Sequence, residues 1–157
     1  MTLTNKEIAR IFEDVASLMD VEEENPFKIR AYRNAADTIL SLPRPLTEIV
    51  GAGEKLTDLE GIGKAIAEKI SELLDTGELA YLKKLEEATS PGLLDILRIP
   101  GIGVGKVRAL RNAIGIGSID ELREAAESGK IASLPGFGEK SEQQILDKIR
   151  KYEERDQ

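Results

Sequence analysis

One short unit recurs three times in this chain: an apolar residue, any residue, glycine, an apolar residue, glycine, then a helix-patterned run. It stands at Leu59-Glu-Gly-Ile-Gly63 before Ile66 to Leu74, at Ile99-Pro-Gly-Ile-Gly103 before Val107 to Ile114, and at Leu134-Pro-Gly-Phe-Gly138 before Ile145 to Ile149. Its first glycines are 40 and 35 residues apart, the mark of an internal repeat. A tight turn between antiparallel helices needs positive φ somewhere, and glycine supplies it without steric cost. The apolar residue between the glycines (Ile62, Ile102, Phe137) is expected to point inward and pin the turn. Because a helix follows at once, its unpaired amides and the positive end of its dipole face outward. A phosphate fits such a place.

Elsewhere the pattern is helical too. Thr4-Asn-Lys-Glu7 reads as a capping box ahead of Ile8, Ile11, Phe12, Val15 and Leu18 at helical spacing. Asn25-Pro26 supplies an N-cap and a first-turn proline for a helix that stops near Pro43, and a short helix at Leu46–Val50 ends at Gly51. Ser118-Ile-Asp-Glu121 reads as a second capping box, opening a helix over Leu122–Ala126. No alternating strand pattern competes with these. The chain therefore reads as all-α, with two small helical domains built around helix-hairpin-helix motifs. The turn residues Thr89-Ser-Pro-Gly92 separate residues 1–88, with the first hairpin, from 89–157, with the other two.

Composition excludes whole classes of chemistry. The 157 residues contain neither cysteine nor histidine, which rules out disulfides, thiolate and finger-type zinc sites, and Ser-His-Asp catalysis. No run approaches the roughly 18 apolar residues of a membrane span. The start lacks a basic segment leading into an apolar one, so no secretory signal is expected, and a cytoplasmic, nucleoid-associated monomer is. Net charge is −7, unfavourable for nucleic acid taken as a total. Its distribution matters more: Arg98, Lys106, Arg108 and Arg111 lie in a stretch, Ile96 to Ile119, with no acidic residue.

The repeats thus point to phosphate contact through Gly61, Gly63 and Lys64; through Gly101, Gly103, Gly105, Lys106 and Arg108; and through Gly136, Gly138 and Lys140. Such contact reads backbone, not bases, because base edges need side chains in a groove. Gly-x-Gly turns also serve as plain helix connectors, and the third copy, with Glu139 and Glu142 close by, fits that role best. Gly101-Ile-Gly-Val-Gly-Lys106 is no P-loop: its spacing is wrong, Val107 replaces the Ser or Thr, and no strand precedes it. Neither is it a dinucleotide fingerprint, since no βαβ unit is present.

Taken in order, Asn25-Pro-Phe-Lys-Ile-Arg-Ala-Tyr-Arg-Asn-Ala-Ala36, Leu59 to Ile70, Thr76-Gly77, Ile99 to Gly103 and Leu134 to Gly138 resemble the N-terminal half of family X DNA polymerases of bacterial and archaeal type. The resemblance covers roughly residues 4 to 150. It implies a lyase-type domain followed by a DNA-gripping fingers subdomain, acting on gapped or nicked duplex in base excision repair. It also implies that Lys69 is the Schiff-base nucleophile of a 5′-deoxyribose-phosphate lyase, with Lys28 and Tyr32 holding the 5′-phosphate. Ala65 stands where the family has a second basic residue, with Lys64 beside it, and Phe27 where some members have histidine. The family's first two turns bind sodium or potassium through backbone carbonyls, which by position are those of Thr57, Leu59 and Ile62, and of Leu97, Ile99 and Ile102. The palm carboxylates that hold magnesium have no counterpart here, so polymerisation would need a C-terminal polymerase region as partner. A helical protein–protein adaptor is the alternative of a different class.

Overall fold

Among the described residues, 3–155 of this computed structural model, every regular element is helical, as the sequence predicts. Two compact units divide the chain, Met1–Leu85 and Glu86–Gln157. The first holds α1 (Asn5–Val21), α2 (Pro26–Ser41), α3 (Leu46–Gly51), a 3-10 turn (Leu56–Asp58) and α4 (Lys64–Thr76). Helix α5 (Ala80–Ala88) carries the chain into the second, which holds α6 (Leu93–Leu97), α7 (Val104–Ile114), α8 (Ile119–Glu127) and α9 (Glu139–Arg155).

Helix α1 begins where its capping box dictates. The Thr4 hydroxyl accepts from the Glu7 amide at 3.1 Å, and the Glu7 carboxylate accepts from the Thr4 amide at 2.9 Å. Hydrogen bonding to Thr4, from its backbone amide first and its side chain second, holds the Glu7 carboxyl below its ordinary pKa. Helix α2 opens with Asn25 accepting from the Phe27 amide at 2.9 Å and Pro26 in its first turn. The two helices pack on each other. Ile8, Phe12, Val15 and Leu18 from α1 and Ala35, Ala36 and Ile39 from α2 are fully buried. Each large aliphatic or aromatic side chain so buried contributes about 1.5–3 kcal/mol. Asn5 ties the start of α1 to the α2–α3 connection, donating to the Arg44 carbonyl (2.9 Å) and accepting from the Leu46 amide (2.8 Å).

In the second unit, Leu93, Ile96, Ile99, Leu122, Ile131, Ile145 and Ile149 form the core. The loop before α6 lies directly on the loop before α8. Ser90 donates its hydroxyl to the Gly117 carbonyl at 2.9 Å, and a Cβ on Gly92 would fall 2.6 Å from that same oxygen. Two sequence expectations change here. Ser118 caps α8 by accepting from the Glu121 amide (3.2 Å), but Glu121 returns to the Ser118 hydroxyl and not to its amide, and the helix starts at Ile119. Helix α9 is far longer than its apolar stretch, because its polar turns are tied by Gln143 and Arg150 to Asp147 at 3.2 and 2.7 Å.

Candidate nucleic-acid interface

All three repeats fold into the same turn. The amides of Ile62, Ile102 and Phe137 donate to the carbonyls of Leu59, Ile99 and Leu134 at 3.1, 3.3 and 3.0 Å. The glycine at the third position has φ of 77° at Gly61, 89° at Gly101 and 83° at Gly136. A bond from the first to the fourth residue, with positive φ at the third, describes a type II turn, and Pro100 and Pro135 occupy the second position that this turn favours. Only the first glycine of each pair therefore uses glycine's conformational freedom.

The second glycine serves differently. Gly63 (φ −84°, ψ 179°) and Gly103 (φ −82°, ψ 164°) are extended and act as N-caps of α4 and α7, with no side chain bonded to the helix end. Gly61, Gly63, Gly101, Gly103 and Gly105 are exposed, and a Cβ on Gly63, Gly103 or Gly105 would meet nothing within 4 Å. The first-turn amides of both helices thus open to solvent with room beside them. Lys64 is the first residue of α4 and Lys106 the third of α7, both exposed; Arg108 follows on α7, half-buried.

Beneath the turns, Ile62 and Ile102 are buried at 3% and 4% exposure, so the pinning role read from the sequence is seen in two copies. Phe137 in the third is only half-buried. That copy differs further: Gly136 and Lys140 are exposed, Gly138 is half-buried, and the Glu142 carboxylate is occupied, accepting from the Ala132 amide at 2.8 Å. The first turn is braced from α2, where Thr38 donates its hydroxyl to the Glu60 carbonyl at 2.9 Å. The second is braced from α9, where the Lys148 ammonium donates to the Gly101 carbonyl at 2.9 Å.

Lys69 lies on α4, half-buried, with Nζ 5.3 Å from the centroid of the Tyr81 ring on α5. Tyr81 stacks on Tyr32 at 6.2 Å, and Tyr32 meets Phe12 at 5.9 Å. Burial first, then the neighbouring Tyr81, push the Tyr32 phenol up to about 12; burial and the Glu24 carboxylate raise Tyr81. Lys28 is exposed one helical turn before Tyr32, and Phe27, beside it, is 77% exposed. Lys69 and Tyr32 therefore meet the same ring. Sequence reasoning passed over Tyr81, since nothing local in the sequence places α5 against α2 and α4. Lys148 was missed too, although the basic residues of α9 recur at helical spacing.

The candidate carbonyls for a monovalent cation lie in the 3-10 turn (Thr57), at the end of α6 (Leu97) and within the two type II turns (Leu59, Ile62, Ile99, Ile102), where Leu59 and Ile99 already accept the turn bond. Among the described residues, no three His, Cys, Asp or Glu side chains gather as metal ligands, and no helix is long and apolar enough to cross a membrane.

Comparison with known proteins agrees with this geometry. Residues 3–79 match the family described as helix-hairpin-helix domain, and residues 93–151 match the SAM-like helix-hairpin-helix tandem. The chain is 35% identical over 144 residues, 92% of its length, to the DNA polymerase/3'-5' exonuclease PolX of Bacillus subtilis (strain 168), of which it spans 25%. The chain therefore carries helix-hairpin-helix domains and is similar to the N-terminal part of a family X DNA polymerase.

Proposed function

We propose that this chain grips the sugar-phosphate backbone of gapped or nicked duplex DNA without reading base sequence, alongside a polymerase region of the kind its longer relative carries. DNA binding itself is what the two helix-hairpin-helix matches support. The observation that carries the finer reading is the repeated turn, with its uncapped helix start and glycines clear of any neighbour at Gly63 and Gly103. Amides fixed in that way attract a phosphate without a large positive surface, which reconciles DNA binding with a net charge of −7.

Titrating gapped, nicked and intact duplexes across salt concentrations tests this. Affinity falls steeply with salt, close to one log-log unit per phosphate held. Lys106→Ala and Arg108→Ala weaken all sequences alike; a change of preferred sequence, or a flat titration at low salt, overturns backbone gripping and favours a protein–protein adaptor.

Sodium or potassium fits the carbonyl edges of the first two turns, because backbone oxygens suit hard cations and the second turn already draws an ammonium to Gly101. Thr57, Leu59 and Ile62, and Leu97, Ile99 and Ile102, would hold it, and the ion would add positive charge beside a phosphate.

A second reading, lyase action at Lys69, is favoured by the stacked rings of Tyr32 and Tyr81 that support the amine. The neutral amine adds to the C1′ aldehyde of an abasic sugar, and the hydroxyl of the adduct takes up a proton from solvent and leaves as water, giving a cationic iminium. Lys28 would hold the 5′-phosphate, with Tyr32 beneath it.

A further inference from the structure

Helix α9 separates its charges by face. At about 100° per residue, Ser141, Gln144, Lys148, Lys151, Tyr152 and Arg155 fall within about 100° of arc. The five acids of the helix (Glu139, Glu142, Asp147, Glu153, Glu154) all lie on the opposite half of its circumference. Several are engaged there: Glu142 with the Ala132 amide, Asp147 with Arg150, and Glu153 with Arg123. The acid-free face is therefore a positive stripe within a helix whose total charge is balanced.

Its position matters as much as its sign. Pro100 lines one cleft with Lys148, Lys151, Tyr152 and Arg155, so the stripe runs directly beside the second hairpin. Lys148 reaches the Gly101 carbonyl, and a Cβ on Gly101 would lie 2.9 Å from its Cε. Lys151 and Arg155 are exposed, and the half-buried Tyr152 borders the stripe at one edge of this arc.

We propose that this face of α9 is a further DNA-binding edge, in which Lys148, Lys151 and Arg155 contact the phosphates that follow the one held at the amides of α7. Tyr152, in the same cleft at the edge of the stripe, offers an apolar surface to an adjoining sugar. The edge rests on the DNA-binding reading above and lengthens its track: one strand passes from the second hairpin onto the side of α9. Spacing supports this, since residues three and four apart on a helix are about 5–6 Å from one another, close to the separation of successive phosphates along a strand.

The test compares two double variants with matched charge loss, Lys151→Gln with Arg155→Gln on the stripe, and Lys130→Gln with Arg150→Gln off it. Gapped duplex is titrated against each at several salt concentrations, and melting curves confirm folding. The stripe variant loses about ten-fold in affinity and close to two units of salt slope, at about 0.9 per phosphate, while the control moves far less. Equal losses in both variants, or none in either, overturn the edge and leave backbone gripping by the hairpins intact. A wild-type chain that binds no DNA overturns both.

Discussion

Lys69 and Tyr81 form an ammonium–ring pair, with Nζ 5.3 Å from the ring centroid, and Tyr81 rests in turn on the buried Tyr32. A ring face stabilises a cation by about 0.5–1 kcal/mol at a partly exposed site. The same benefit extends to an iminium formed at that nitrogen. Borohydride reduction on abasic DNA should trap a covalent adduct that Lys69→Ala abolishes. Tyr81→Leu should retain the adduct at close to the parent yield, because the ring stabilises the resting ammonium and the iminium alike. An adduct undiminished in Lys69→Ala would place the nucleophile elsewhere.

The two glycines of a hairpin should respond differently to the same methyl group. At Gly61, φ is 77°, and alanine there costs about 1–2 kcal/mol in left-handed backbone. At Gly63 the backbone is extended and the surroundings open, so alanine changes stability by no more than about 1 kcal/mol. That methyl nonetheless stands at the mouth of the amide site. Gly63→Ala should therefore lower DNA affinity with little change in melting, and Gly61→Ala should lower melting first. Unchanged affinity in Gly63→Ala would show that phosphate does not approach this helix end.

Gly92→Ala should destabilise the second unit by about 1–3 kcal/mol, the usual range for overpacking. Its Cβ would lie 2.6 Å from the Gly117 carbonyl, a backbone atom that cannot swing aside, and would push the Ser90–Gly117 hydrogen bond open. Urea unfolding gives the answer directly. Removing only the hydroxyl, by Ser90→Ala, should cost about 0.5–1.5 kcal/mol. A Gly92→Ala chain as stable as the parent would mean that the two loops do not touch in solution.

Tyr32 sets the alkaline behaviour of the first unit. Its phenol is raised from about 10 to about 12, so the neutral form is favoured by folding. The resulting stability is fully present below pH about 10 and is lost as pH rises toward 12. Spectrophotometric titration of Tyr32→Phe should lack the highest-pH phenolate step of the parent. Persistence of that step would reassign it to Tyr81.

Much of the framework could be read locally. Thr4, Asn25 and Pro26 mark helix starts through short-range bonds, and Gly77 and Gly115 end α4 and α7 in the left-handed conformation. The hairpins were legible for the same reason, because positive φ and the four-residue bond are settled within the repeat. What the sequence hid is what depends on packing between distant segments. Lys69 meets Tyr81 only once α5 has folded back, and Gly101 receives Lys148 from 47 residues away. Ser118 misled because an acid three residues on can bond either the cap's amide or its hydroxyl, and here it takes the hydroxyl.

The type II turns have a thermodynamic corollary. Each is closed by its own hydrogen bond, and in two of them a proline stands beside the glycine, so the loop holds one shape whether or not a ligand is present. Association then freezes little backbone that was previously mobile, and affinity is not eroded by an ordering penalty of the kind that disordered basic tails incur. A phosphate would thus meet a turn already in its final shape, and the protein would stay essentially unchanged on binding.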